Sequence, residues 1–359
     1  MAMIRVLTEE GADHICHHQY KPGTYTSLDK LMNPIWSRIA EALPMWLAPN
    51  LVTVIGFVPL CLVFVASWYI DPFFGQAPPR WLSFSWCGTM LFYQTMDAVD
   101  GKQARRTGSS SPLGQLFDHG LDCVSNLLQH AAVASIACSS SMPWILFSME
   151  AMMIGFLLAA WQEYHTGVFP TAAGEVGVTE CQFSVMSTML LAGVVGPEVW
   201  QGFLLTAPDS LLLKATAAVV CAMWVAPVVT TLKAAGPTAI QELVPIAATF
   251  VAARFWQPEL LASSPRLVLL LTGLNLFWMN IQLIVFTMAR MPYSSAQWCV
   301  LPFVAAVGAS WALPVSTARI VLISNTFVFG CWLMVWIASV VQQLKLKLGV
   351  SMFSIKKRS

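Results

Sequence analysis

Charge is scarce in this chain. Asp, Glu, Lys and Arg make up 10% of its 359 residues and hydrophobic residues 57%, whereas a water-soluble domain carries about a quarter charged residues. That deficit excludes an ordinary soluble protein and implies a polytopic membrane protein. No CxxC pair occurs among the nine cysteines, and Cys61, Cys87, Cys123, Cys138, Cys221, Cys299 and Cys331 fall in or beside apolar runs. Neither a disulfide framework nor a zinc ribbon is expected; the cysteines read as small hydrophobes. Residues 1–47 contain no basic stretch leading into an apolar run. This argues against a cleavable signal peptide and leaves targeting to the first spanning helix. The net charge of +1 gives no reason to expect a nucleic-acid partner. Internal repeats and low-complexity tracts are also missing.

Apolar runs are abundant. A spanning helix needs about 20 mostly apolar residues, and ten runs qualify: 51–70, 82–100, 112–138, 143–163, 181–196, 210–231, 239–256, 267–289, 297–315 and 319–342. Prolines punctuate the short links between them. The expected fold is all-α, with about ten transmembrane helices. Ahead of them, residues 28–43 put Leu28, Leu31, Met32, Ile35, Trp36, Ile39 and Leu43 on one face and Arg38 and Glu41 on the other, the pattern of an amphipathic helix in the membrane interface. The run Asp13–His18 holds His14, Cys16, His17 and His18, but without a second ligand cluster it reads as a polar tail. With ten spans and a cytoplasmic N-terminus, 14 of the 19 Lys and Arg residues lie on the cytoplasmic side, as the positive-inside rule favours.

Four carboxylates break the apolar pattern. Asp97 and Asp100 are spaced i, i+3, and Asp118 and Asp122 i, i+4, so each pair shares a helix face. Between them lies a turn rich in Gly and Ser, with Pro112 where a helix could restart. Like charges so close repel unless a cation sits among them. Hard divalent cations, Mg²⁺ or Mn²⁺, match carboxylate and phosphate oxygens. Ionisable groups within apolar helices point to function.

The pattern D-x-x-D-G-x-x-A-R, eight residues, then G-x-x-x-D-x-x-x-D is present as Asp97, Asp100, Gly101, Ala104, Arg105, Gly114, Asp118 and Asp122. It resembles the signature of the CDP-alcohol phosphatidyltransferase family. A-P-N-L-V-T at Ala48–Thr53, P-L-G-Q-L-F-D-H-G-L-D at Pro112–Asp122 and W-Q-E-Y-H-T-G at Trp161–Gly167 are similar to its eukaryotic choline and ethanolamine phosphotransferase branch. The resemblance implies ten spans, a homodimer, a divalent metal held by the four Asp residues, and a CDP-linked headgroup as donor. It also implies a place in the endoplasmic reticulum or Golgi membrane, with the site facing the cytoplasm. Asn50, Thr53, Gly101, Ala104, Arg105 and Gly114 would then meet the CDP-alcohol. Gly101, Ala104 and Gly114 are small enough for close approach, and Arg105 offers a planar fork to phosphate.

His119, beside Asp118, would take the acceptor's hydroxyl proton. The branch usually carries Glu four residues earlier, where this chain has Gln115; an amide can orient the imidazole but cannot raise its basicity. Trp161, Glu163, Tyr164 and Glu180 are candidates for the ammonium headgroup, which favours aromatic faces and carboxylates. Three segments result: a cytoplasmic N-terminal segment 1–47, a membrane catalytic domain 48–343 and a basic cytoplasmic tail 344–359.

The expected reaction moves phosphocholine or phosphoethanolamine from CDP-choline or CDP-ethanolamine to diacylglycerol, which enters sideways from the bilayer. Within the family the alternative is a transferase joining CDP-diacylglycerol to a soluble alcohol such as inositol. A transporter would scatter acids along several helices, yet the middle and late spans hold few besides Glu150 and Glu242. A non-catalytic scaffold would not need all four Asp.

Overall fold

The computed structural model describes residues 4–18, 21, 23–137, 142–199 and 211–355. Among them the chain forms thirteen α-helices: α1 Glu9–Cys16, α2 Ser27–Ala42, α3 Pro49–Ile70, α4 Arg80–Thr107, α5 Pro112–Ala137, α6 Met142–Thr166, α7 Val178–Val195, α8 Leu211–Ala235, α9 Val244–Ala252, α10 Pro258–Ser263, α11 Pro265–Ala289, α12 Val300–Ala312 and α13 Val315–Leu348. The only strands described are two residues each, Ala172–Ala173 against Val176–Gly177. By length and composition, α3, α6, α7, α11 and α13 could each cross a membrane. Helices α4 and α5 are longer than most, at 28 and 26 residues, but carry the polar motif.

Two of the apolar runs differ from expectation. Residues 239–256 do not form one helix. Gly236 turns the chain at φ 85, a 3₁₀ segment runs Pro237–Leu243, and α9 adds nine residues before another 3₁₀ turn. Pro237 and Pro245 withhold backbone donors, and nine residues of α-helix reach only about 13 Å. The run 297–315 contains only the 13-residue α12, about 20 Å long, because a turn precedes it and the chain is extended after it at Leu313. The start of the 210–231 run and the last four residues of the tail fall outside the described residues.

Helix α11 is the axle of the bundle. Its apolar stretch is 83% buried, against 28% for α3 and for α13, and it packs on α6, α5, α13 and α1. The outer helices present exposed Leu62, Val65, Phe327 and Val328, as lipid-facing helices do. Helix α3 lies close along α4. A Cβ added at Gly56 would sit 2.7 Å from Met96 Cβ, so only a residue without a side chain permits this approach. Helix α2 begins with a capping box between Thr26 and Asp29 and rests on the last turns of α4. There Arg106 donates to the carbonyls of Ala40 and Leu43, and Gln103 to those of Pro44 and Leu47. Leu31 and Ile35 of α2 are exposed, whereas Trp36 and Ala40 are buried.

Candidate active site

The carboxylates converge because α4 continues unbroken through Asp97 and Asp100. It ends at Thr107 on Gly108, φ 63, a left-handed cap that glycine adopts without strain. The chain turns through Ser109–Ser111, and Ser111 Oγ accepts from Gly114 N–H at 3.1 Å as α5 starts. One oxygen each from Asp97, Asp100 and Asp118 then lies within 4.8 Å of the other two. Thr53 Oγ1, brought in by the close α3–α4 packing, donates to Asp100 Oδ2. Tyr93, one turn before Asp97, donates its OH to Asp122 Oδ1 at 2.9 Å. Oδ1 of Asp97 and Oδ1 of Asp118 are sealed from solvent with no hydrogen-bond partner among the described residues. Leaving such atoms unsatisfied is costly. Two orphaned carboxylate oxygens beside a third carboxylate are a donor set that suits a hard divalent cation.

Asp100 and Asp118 open onto a cleft of about 370 Å³. Asn50, Gly101, Ala104, Arg105, Ser109–Ser111, Gly114, Gln115 and His119 line it. His119 is buried, its ring 5.3 Å from that of Phe169 and 6.5 Å from that of Phe156. The other walls come from distant sequence: His18 behind α1, and Ser351, Met352, Ser354 and Ile355 beyond α13. Phe353 docks edge-on against Phe117 at 5.8 Å.

Residues 46–255, more than half of the chain, match the family model for CDP-alcohol phosphatidyltransferase. The chain belongs to this family. Among curated proteins it is 37% identical over 171 residues to cholinephosphotransferase 1 of Saccharomyces cerevisiae, which covers 47% of this chain and 43% of that protein. It is 36% identical over 185 residues to choline/ethanolaminephosphotransferase 2 of Arabidopsis thaliana (51% and 46%) and 35% identical over 184 residues to cholinephosphotransferase 1 of Gallus gallus (51% and 54%). The alignments thus span about half the length of these relatives.

Not every residue read from the family's pattern meets the cleft. Five of the six expected CDP-alcohol positions line it; Thr53 does not, being buried with its hydroxyl on Asp100. Gln115 stands one turn before His119 on the same wall, but its Nε2 has no partner among the described residues, so the amide does not donate to the imidazole. Three of the four headgroup candidates are engaged elsewhere, and the fourth, Glu163, is buried. Trp161 is fully buried and donates Nε1 to Glu242 Oε2 at 2.7 Å, which His165 Nε2 also meets at 2.8 Å. Tyr164 OH donates to Met291 O and accepts from Tyr293 N–H. Glu163 is buried on α6, and Glu180 accepts from Gly177 N–H at 2.8 Å at the start of α7. None of the four is on the cleft wall. Conversely, Tyr93, His18 and the segment after α13 were not foreseen. Only Tyr93 left a signal, lying at i−4 from Asp97 on the same helix face.

Proposed function

We propose that this protein transfers phosphocholine or phosphoethanolamine from CDP-choline or CDP-ethanolamine to diacylglycerol, giving phosphatidylcholine or phosphatidylethanolamine and CMP. The observation that carries the reading is the meeting of Asp97, Asp100 and Asp118 within 4.8 Å at a cleft that also holds Arg105 and His119. Asp97, Asp100, Asp118 and Asp122 would hold Mg²⁺ or Mn²⁺, which when bound neutralises the pyrophosphate and stabilises the leaving CMP. Arg105 binds a phosphate through its guanidinium. Asn50, Gly101, Ala104 and Gly114 form the surface on which the CDP moiety lies. A ring nitrogen of His119 takes the hydroxyl proton of diacylglycerol. The freed oxygen bonds to the phosphorus bearing the alcohol, the bridging P–O bond breaks, and its electron pair leaves with CMP. Burial of the site among apolar helices suits an acceptor that never leaves the bilayer.

The reading extends to the setting: a homodimer in the endoplasmic reticulum or Golgi membrane, both termini and the cleft cytoplasmic, and α2 lying in the interface. The concentration of Lys and Arg near the cleft end supports this orientation. The test offers purified protein labelled CDP-choline and CDP-ethanolamine in competition, with diacylglycerol and Mg²⁺. Labelled phosphatidylcholine or phosphatidylethanolamine is expected. Product only from CDP-diacylglycerol and inositol would overturn the donor assignment.

A further inference from the structure

A second imidazole stands in the cleft. His18 follows α1 and lines the same cavity as His119, Gln115 and Arg105. The helix that carries it is firmly held. Thr8 caps α1, and Ala12 and Ile15 are buried. Gln343 of α13 clamps the preceding backbone, accepting from Leu7 N–H at 3.0 Å and donating to Ile4 O at 2.9 Å. Lys347 pairs with Asp13 at 2.7 Å. The His18 backbone N–H closes on Ile15 O at 3.0 Å. None of these contacts uses the imidazole.

His18 Nε2 is sealed from solvent and has no hydrogen-bond partner among the described residues. Burial, and then the nearby Arg290 guanidinium, lower its pKa, so the ring is neutral near pH 7 and offers one N–H donor. A firmly held helix that brings the His18 ring to the cleft wall and leaves its buried Nε2 unsatisfied makes sense if a ligand entering the cleft completes the bond. Arg105 and the hydroxyls of Ser109, Ser110 and Ser111 make the shared cavity suited to an anion.

We infer that His18 is a substrate-binding residue whose Nε2–H donates to a phosphate oxygen of the CDP-alcohol. The inference rests on the CDP-alcohol reading of the cleft and adds to it a donor from outside the Asp97–Asp122 motif. A hydrogen bond to a charged oxygen is worth about a ten- to hundredfold change in affinity. The experiment measures CDP-choline binding by titration calorimetry to the full-length protein with Mg²⁺ and without diacylglycerol. His18→Ala is expected to raise Kd by about ten- to a hundredfold at unchanged Tm. His18→Gln, which carries an N–H at similar reach, should recover much of the loss. A Kd for His18→Ala within about twofold of wild type would overturn the inference. So would an equal loss in His18→Gln, or a fall in Tm that tracks the loss of affinity, which would make His18 a packing residue. Wild-type protein that binds no CDP-alcohol would instead sink the proposed function.

Discussion

At the scale of single residues, the proposed site divides into groups that would meet the ligand and groups that would hold them. Asp118 belongs to the first. Replacing it with Asn keeps its shape but removes a charge from the carboxylate cluster, so turnover is expected to fall to background, and EDTA should do the same to wild type, reversed by added Mg²⁺. Full activity of Asp118→Asn in the labelled-donor assay would refute the metal site. Tyr93 belongs to the second. Tyr93→Phe removes the 2.9 Å bond to Asp122; the expected result is a ten- to hundredfold higher Mg²⁺ requirement, the usual worth of an outer partner of a metal ligand, read from activity against metal concentration. His119→Ala should lower kcat by about 10²–10⁴-fold with little change in CDP-alcohol KM, because on the proposed reading Arg105 and the carboxylates would hold the donor. The carboxylates were legible in sequence because i, i+3 and i, i+4 spacings fix a shared face. His18 was not, since nothing in a tail sequence reveals that a distant glutamine will clamp it.

At the scale of elements, the distance between α3 and α4 decides whether Thr53 reaches Asp100. Gly56→Ala would thrust a methyl toward Met96 and the Tyr93 backbone. The expected outcome is a lower Tm, by the roughly 1–3 kcal/mol that overpacking costs, together with reduced activity, although Gly56 touches no substrate. A combined assay of detergent-solubilised thermal unfolding and turnover checks this; unchanged values in both would show that the helices separate without consequence. Most long helices were readable, because a run of about 20 apolar residues admits few alternatives. The 239–256 run misled because hydropathy ignores what Gly236, Pro237 and Pro245 do to the backbone. W-Q-E-Y-H-T-G was legible as a family-like stretch with headgroup candidates, but its sequence did not disclose that Trp161 and His165 would converge on Glu242.

At the scale of the whole molecule, two ends of the bundle are tied in different ways. At one end Arg266 gathers the chain, donating to the carbonyls of Asp71 and Ser67 and to Ser135 Oγ, with its guanidinium over the Phe74 ring at 4.1 Å. Arg266→Ala would remove three buried hydrogen bonds and the cover over Phe74, so a marked loss of folded protein is expected, measured as the monodisperse fraction on size-exclusion chromatography. At the other end lie the cleft, α1 and the extension of α13, whose 34 residues span about 50 Å, beyond the roughly 30 Å hydrocarbon layer.

The cleft's walls also set an order of assembly. The carboxylates leave the ribosome early, on α4 and α5, whereas Ser351–Ile355 are made only after the last long helix. The Gln343 clamp on α1 must wait for the same helix. A chain still being threaded into the bilayer therefore carries its acidic cluster without a closed reaction chamber. Such long-range closure is slow to form, and on the proposed function it would make turnover a late event in the protein's biogenesis. Catalytic activity should then serve as a timer for completed insertion, starting only when the final helix docks.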